Sequence, residues 1–279
     1  MPISAAGHRD FPFSDQSFQA IAQLAHSSFG LHLEPAKKQL VYSRLTRRLR
    51  ALGLSDFEDY CAMLNGPNGV DERKELLSAL TTNVTQFFRE RHHFEQLSAS
   101  VLPHLIARAR EGGRVRLWSA GCSAGQEAYS LALILLWLCP EAPRLDVRIL
   151  ATDIDPQILA RARAAQYPLE EYAAIPLPLA KSHTTVNGDT FSIAANARAL
   201  VAPKVLNLIE PWPMTGRFDV IMCRNVAIYF SKETQARLWS RFSDVLARGG
   251  HLMIGHSERL SGRAAEEFTS TGITAYCKN

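Results

Sequence analysis

Three short stretches of the sequence carry residue types that can hold a nucleoside and act beside it. Trp118-Ser119-Ala120-Gly121-Cys122-Ser123-Ala124-Gly125 stands where a β-type run gives way to an apolar helix. Glycines at such a turn let the backbone approach a ligand closely, and a helix N-terminus follows. The stretch is not G-x-G-x-x-G, which weakens a dinucleotide reading, and the glycines alone leave open a tight turn with no ligand. Asp153 ends the next strand-like run, 32 residues past Gly121, where a carboxylate can accept both hydroxyls of a ribose. Its structural alternative is to cap the helix opening at Pro156, a task for which Asp155 is better placed. Arg224-Asn225 follows a further buried run, and polar residues at a strand's C-terminal end face the ligand crevice of an open sheet. A glycine turn after one strand and an acid at the end of the next suit adenosine, which NAD and S-adenosylmethionine share. A dehydrogenase needs a pyrophosphate loop, missing here. A methyltransferase does not, because its cofactor has no phosphate.

Other catalytic constellations are not offered. The nine histidines include no H-E-x-x-H, and the five cysteines (Cys61, Cys122, Cys139, Cys223, Cys277) include no C-x-x-C. That pattern suits a reduced, cytoplasmic protein without a structural metal.

The elements that must position these residues follow from periodicity. Arg114 to Trp118 reads as a strand, Gln126 to Leu138 as an apolar helix, and Val147 to Ala151 as a second buried strand. Phe218 to Cys223 is another strand, Lys232 to Arg248 an amphipathic helix with Gly249-Gly250 as its stop, and His251 to Gly255 and Ile273 to Cys277 the last strands. Strands alternating with helices predict a parallel sheet covered on both faces. The segment 167–205, with its prolines and the turn Asn187-Gly188-Asp189, breaks that rhythm and reads as an insertion.

The first eighty or so residues read differently, as a small helical domain. Ser14 can cap a helix ending near Gly30, Ser55 one running from Asp56 to Leu64, and Asp71 to Leu80 forms another. Between Pro35 and Ser55 stand six basic residues, Lys37, Lys38, Arg44, Arg47, Arg48 and Arg50, and no acidic one. As a helix opened by Pro35 and stopped by Gly53, this segment puts Val41, Leu45, Leu49 and Leu52 on one stripe. Arg44, Arg47 and Arg50 lie away from it, with Lys37 and Arg48 along its edge. A solvated face is the ordinary reading of such a run, and the absence of acids over the segment narrows the gap to a binding role.

The whole composition sets limits on these readings. With 279 residues, 47% hydrophobic and 21% charged, the chain suits a soluble globular protein of one or two domains. The net charge of +4 does not by itself imply nucleic acid. The basic segment also lacks interleaved aromatics for stacking bases. The longest apolar run, Leu131 to Cys139, is too short to span a bilayer. No secretory signal is read at the N-terminus.

Several consecutive residues in each of five blocks resemble the CheR family of chemotaxis receptor methyltransferases. Thr81-Thr82-Asn83-Val84-Thr85-Gln86-Phe87-Phe88-Arg89-Glu90 resembles their linker signature, and the block from Ser119 through Gly121, Glu127 and Ser130 their cofactor loop. Ala151-Thr152-Asp153-Ile154-Asp155 is similar to their second strand, the block Phe218 to Phe230 to their fourth-strand motif, and Gly255-His256-Ser257-Glu258 to a segment near their C-terminus. The resemblance runs from the basic helix almost to the end of the chain. Gln126 and Ala128 depart from it, standing where Glu and Pro are common.

The resemblance implies an α/β fold: a Rossmann-like class I S-adenosylmethionine-dependent methyltransferase domain with a small inserted β-subdomain, preceded by a small all-α N-terminal domain. The expected boundaries are 12–80 for the helical domain, 81–98 for a linker contributing to the cofactor site, and 99–279 for the methyltransferase domain. It implies a glutamate O-methyltransferase using S-adenosyl-L-methionine and releasing S-adenosyl-L-homocysteine. Its implied cofactor contacts are Asn83, Thr85, Arg89, Gly121, Glu127, Asp153, Asn207, Leu208, Arg224 and Asn225. The implied acceptors are glutamates on cytoplasmic, glutamate-rich chemoreceptor helices, met by the basic face of Arg44, Arg47, Arg48 and Arg50. A monomer is expected, with no nucleic-acid partner, no membrane insertion and no metal.

A glutamate acceptor has an ordinary pKa of about 4.3 and is already an anion in the cytoplasm, so no general base is needed. Desolvation raises that pKa, and a nearby cation or hydroxyl donor counters it. Arg89 and Tyr229 are the candidates, Arg89 to hold charge near the site and Tyr229 to orient the acceptor oxygen. A methyltransferase of another substrate and a non-catalytic S-adenosylmethionine-binding module are the alternatives.

Overall fold

The computed structural model describes residues 11–67, 69–81 and 84–279. The chain divides into two compact units, Met1–Thr82 and Asn83–Asn279.

The first unit is helical. Helix α1 (Asp15–Phe29) starts where the Ser14 hydroxyl accepts the Ser17 N–H and stops at Gly30, whose φ of 75° is left-handed. After a 3-10 turn at Pro35–Lys37 comes α2 (Lys38–Leu52), ended by Gly53. It buries Val41, Leu45 and Leu49 and leaves Leu40 exposed among the cations, while Leu52 is only half-buried. Helix α3 (Phe57–Asn65) is capped by Asp56, which accepts the Glu58 and Asp59 N–H groups, and not by Ser55. Helix α4 (Gly69–Leu80) closes the unit. Phe18, Ile21, Phe57, Tyr60, Leu76 and Leu77 are buried with the α2 stripe.

The second unit is α/β. Helices α5 (Arg91–Gln96) and α6 (Leu102–Arg110) are joined by a π-helical turn and lead into β1 (Val115–Ala120), α7 (Gln126–Leu138), β2 (Val147–Asp153) and α8 (Pro156–Ala164). There follow β3 (Gln166–Pro168), α9 (Leu177–His183), β4 (Thr184–Asn187), β5 (Thr190–Ile193), α10 (Ala195–Leu200) and β6 (Val201–Val205). The chain ends through β7 (Phe218–Cys223), α11 (Lys232–Val245), β8 (Leu246–Ile254), α12 (Ala264–Glu267), β9 (Phe268–Gly272) and β10 (Ala275–Lys278).

Seven strands form one sheet in the order β6-β2-β1-β7-β8-β10-β9. The first five run parallel, and β10 is antiparallel to both its neighbours. Leu117 and Trp118 of β1 and Val220, Ile221 and Met222 of β7 are fully buried, as sheet strands covered on both faces must be. Helix α7 is apolar nearly all round and packs on β1, β2, α9 and α10.

Two expectations about this unit need correction. Residues 201–205 are not part of the insertion: they pair in parallel with β2, residue for residue from Ile149↔Val201 to Asp153↔Val205. Pro203 hid this strand, but β6 is an edge, where a missing N–H is tolerated. The inserted sheet is β3-β5-β4 alone. Helix α11 ends at Val245, and Gly249-Gly250 lies inside β8 instead of stopping the helix. The register against β7 shifts between Phe218 and Val220, and Gly249 takes φ 73° at this irregularity. Strand β9 was not foreseen.

Candidate functional site

The C-terminal ends of β1, β2, β7 and β8 lie side by side, and the loops leaving them carry the polar residues. After β1 the chain turns sharply. Gly121 has φ 79°, and its N–H and that of Cys122 both donate to the Thr152 carbonyl at 2.8 Å. A Cβ on Gly121 would lie 2.3 Å from Val226 Cγ2, so only glycine lets the loops after β1 and β7 come this close. Tyr167 donates its hydroxyl to the Ala124 carbonyl at 2.8 Å, tying the inserted sheet to the same loop.

Asp153 and Asp155 divide two tasks. Asp155 caps α8, accepting the Gln157 N–H at 2.8 Å and that of Ile158. Asp153 accepts the Ser123 N–H at 2.8 Å and the Asp155 N–H at 3.1 Å. Burial pushes its carboxyl above the usual range, against the pull of those backbone donors.

Arg224 is the centre of a buried charge cluster. It is 7% exposed. Its Nη1 donates to Glu127 Oε2 at 3.1 Å, its Nη2 lies 3.4 Å from Glu90 Oε2 and donates to the Arg89 carbonyl, and its guanidinium stands 5.6 Å from the Phe94 ring centre. Glu127, in the first turn of α7, also accepts the Ser119 hydroxyl at 2.7 Å. Burial raises the Glu127 carboxyl. Glu90 is desolvated too, but Arg224 and His256, whose Nδ1 is 3.1 Å away, outweigh that and hold it below its ordinary value. His93 is fully buried; burial, then the charge of Arg224, depress it to about 4. Glu90, His92 and His93 bring ligand-type atoms within 4.8 Å of one another. The Arg224 guanidinium already supplies positive charge there.

The remaining expected residues fall in several places. Asn225 has φ 59°, and its Oδ1 is buried without a hydrogen-bond partner, as is Arg224 Nε. Asn207 shapes its own loop, with Oδ1 accepting the Ile209 N–H and Nδ2 donating to Glu210. Leu208 is buried, and its carbonyl accepts Arg241 at 2.6 Å. Arg89 points its Nη1 at the Val84 carbonyl, 3.2 Å away, outside the charge cluster. Thr85 is half-buried, as is Tyr229 at the end of the 3-10 turn Ala227–Tyr229. Asn83 lies outside the described residues.

On α2, Arg47 and Arg50 are exposed, and Arg50 stands 5.9 Å from the Phe11 ring centre. Arg44 donates to the Leu80 carbonyl. Arg48 departs from the expected exposed cation: it grips buried Glu72 at 2.6 and 3.1 Å and lies 3.2 Å from Glu75. Its place at the edge of the apolar stripe is the reason, since that edge faces α4.

Sequence reasoning did not single out Ser119, Glu90 or Glu258. All three stand inside blocks quoted for their family resemblance. Each has a partner far along the chain, Glu127 for Ser119, Asn225 for Glu258 and His256 for Glu90, at separations of 8, 33 and 166 residues, which spacing along one element does not reveal.

The family models match both units. The model of the CheR methyltransferase all-alpha domain matches residues 16–81, and that of the CheR methyltransferase SAM-binding domain residues 83–277. A probable chemotaxis protein methyltransferase of Rhizobium etli is 49% identical over 257 residues, covering 91% of this chain and 96% of that one. Chemotaxis protein methyltransferase 2 of Pseudomonas aeruginosa is 39% identical over 280 residues, covering 99% and 97%. The chemotaxis protein methyltransferase of Salmonella typhimurium is 39% identical over 268 residues, covering 94% and 90%. Among the described residues, no helix is long and apolar enough to cross a membrane.

Proposed function

The chain belongs to the CheR methyltransferase family, and from that premise we propose that it esterifies glutamate side chains of methyl-accepting chemotaxis receptors. It is an S-adenosylmethionine-dependent methyltransferase. The residues at the strand ends fit that cofactor. Gly121 lets backbone come close, Asp153 stands at the end of β2, and the buried Asn225 Oδ1 and Arg224 Nε have no protein partner. Such buried polar atoms can bond a ligand group or a water.

The cofactor supplies a methyl group already activated on a sulfonium. The chain's task is to orient the acceptor and exclude water, and positioning alone contributes about 7–11 kcal/mol to such a step. We assign ribose binding to Asp153. Gly121, Glu127, Asn207, Leu208, Arg224 and Asn225 complete the cofactor cradle, with Asn83, Thr85 and Arg89 from the linker. Tyr229 orients the acceptor oxygen, and Arg89 holds the acceptor's negative charge once its exposed bond to Val84 is exchanged.

The observation that carries this reading is the crevice itself. Glu127, Asp153 and the neighbours Arg224 and Asn225 come from three separate stretches of the chain that follow or end the adjacent parallel strands β1, β2 and β7, with Arg224 paired to Glu127. The nucleophile is a carboxylate that is an anion near neutral pH, so no proton-abstracting pair has to be found there. The receptor's glutamate-rich helices meet the exposed cations of α2, with Arg47 and Arg50 at the centre, and the enzyme works as a monomer in the cytoplasm.

The test is methyl transfer from labelled S-adenosylmethionine to membranes bearing chemoreceptors. Carboxyl methyl esters release methanol in alkali, so the label should be volatile after base treatment. Alkali-stable label, or label on another macromolecule only, would overturn the glutamate reading.

A further inference from the structure

Glu258 is a buried carboxylate to which the reaction as described gives no task. It is 2% exposed. Its Oε2 accepts the N–H groups of Gly255 at 2.6 Å and Asn225 at 3.2 Å. Its Oε1 accepts those of Val226 at 3.1 Å and Ile228 at 3.2 Å. These donors come from the ends of two neighbouring parallel strands, β8 and β7. The left-handed backbone of Asn225 turns successive N–H groups inward, making a concavity of the kind that binds anions. Here the anion is a side chain of the same protein.

The other side of this turn is held as well. Gln235, on α11, donates its side-chain amide to the Ala227 carbonyl at 2.9 Å and the Phe230 carbonyl at 3.0 Å. Residues 225–230 are therefore gripped by an acceptor at their N–H groups and a donor at their carbonyls. Asn225 and Tyr229 lie on this turn. The packing leaves no slack, because a Cβ on Gly255 would lie 2.7 Å from the Asn225 nitrogen and 3.0 Å from Glu258 Oε2.

We propose that Glu258 is a positioning residue for methyl transfer: its carboxylate clamps the turn after β7 so that Asn225 meets the cofactor and Tyr229 the acceptor. The part concerning Tyr229 rests on the acceptor reading above. The part concerning Asn225 needs only cofactor binding. A misplacement of about 1 Å at a reacting group can cost about a hundredfold in rate, so a clamp of this kind acts on catalysis without touching substrate.

The test compares Glu258→Gln, Glu258→Asp and Gly255→Ala with wild type. It reads S-adenosylhomocysteine affinity by calorimetry, kcat and receptor KM by methyl labelling, and folding by circular dichroism and thermal melting. The glutamine places an amide donor against two backbone donors; the aspartate keeps both oxygens. Expected for Glu258→Gln are at least fivefold weaker S-adenosylhomocysteine binding and at least tenfold lower kcat, with receptor KM within twofold of wild type. Glu258→Asp should fall between Glu258→Gln and wild type. Gly255→Ala leaves the carboxylate in place but crowds the clamp, and should lower kcat in the same direction; if Glu258→Gln fails to fold, it decides alone. Wild-type affinity and kcat in the folded variants would overturn the proposal. So would equal losses in Glu258→Gln and Glu258→Asp that track a fall in melting temperature. A wild type that binds S-adenosylhomocysteine but leaves receptors unlabelled would overturn the acceptor reading only, because the affinity measurement judges Glu258 without an acceptor.

Discussion

The Asp153 carboxylate accepts the Ser123 N–H at 2.8 Å, so the acid that ends the second strand also braces the loop leaving the first. One side chain thus joins the two halves of the expected ribose and glycine-turn site. Replacing it with alanine removes that brace together with the proposed ribose contacts. Hydrogen bonds to a charged acceptor contribute about 1.5–3 kcal/mol each. Asp153→Ala should therefore weaken S-adenosylhomocysteine binding at least tenfold, equivalent to about 1.4 kcal/mol. Calorimetric titration of the folded variant checks this, and unchanged affinity would remove Asp153 from the site.

Arg48 and Glu72 give a contrasting case within the helical unit. Glu72 is 7% exposed and accepts Arg48 twice and the Tyr60 hydroxyl at 2.9 Å. Arg48→Ala leaves that buried carboxylate without its counter-charge. Breaking a buried pair in this way costs about 3–5 kcal/mol, and the partial exposure of Arg48 puts the expectation near the lower end. Calorimetric melting should show the loss, with S-adenosylhomocysteine affinity unchanged. A melting curve like wild type would return Arg48 to the pool of substrate-reading cations.

His93 sets a pH dependence. Its Nε2 bonds the Ile273 carbonyl at 3.0 Å, and its folded pKa of about 4 lies below the ordinary 6.5. Between those values the unfolded chain binds a proton that the native state refuses. The stability from neutral His93 is therefore fully present above about pH 6.5 and is lost as pH falls towards 4. Thermal melting between pH 4.5 and 7 should fall less steeply on acidification in His93→Gln, whose amide can still reach Ile273. His251 and His183, also lowered by burial, add slope of the same sign to both proteins. Parallel slopes for the two proteins would contradict a depressed His93.

These cases show which parts were legible. Helix α7 and strand β7 occur at Gln126–Leu138 and Phe218–Cys223, because an unbroken apolar run bounded by polar residues is a local signal. The glycine turn and Asp153 were legible for the same reason, since both sit at strand ends. Pro203 and Gly249-Gly250 misled because their usual meaning was overridden, one by an edge position and the other by a register shift in β8. The pairing of Arg48 with Glu72, and of Glu258 with the turn after β7, depends on contacts between elements. Periodicity along either element alone does not contain it.

With Arg48 tied to Glu72 and Arg44 to the Leu80 carbonyl, Arg47 and Arg50 carry the basic face of α2. Replacing both with alanine should raise the apparent KM for receptor and leave S-adenosylhomocysteine affinity unchanged. Stability should move little. An exposed substitution stays within about 0.5 kcal/mol, and the Arg50 contact with the Phe11 ring adds about 0.5–1 kcal/mol at most. Charge complementarity of this kind chiefly governs encounter and register, and salt screens it over about 10 Å at 0.1 M. Raising the salt should therefore slow receptor methylation by wild type more than by the double variant, whose attraction is already reduced. Initial rates at low and high ionic strength, over a range of receptor concentrations, make the comparison. Wild-type kinetics in the double variant at low salt would reduce the basic helix to a solvated face. Recognition of the receptor would then have to come from elsewhere, with the inserted β3-β5-β4 sheet as the next surface to mutate.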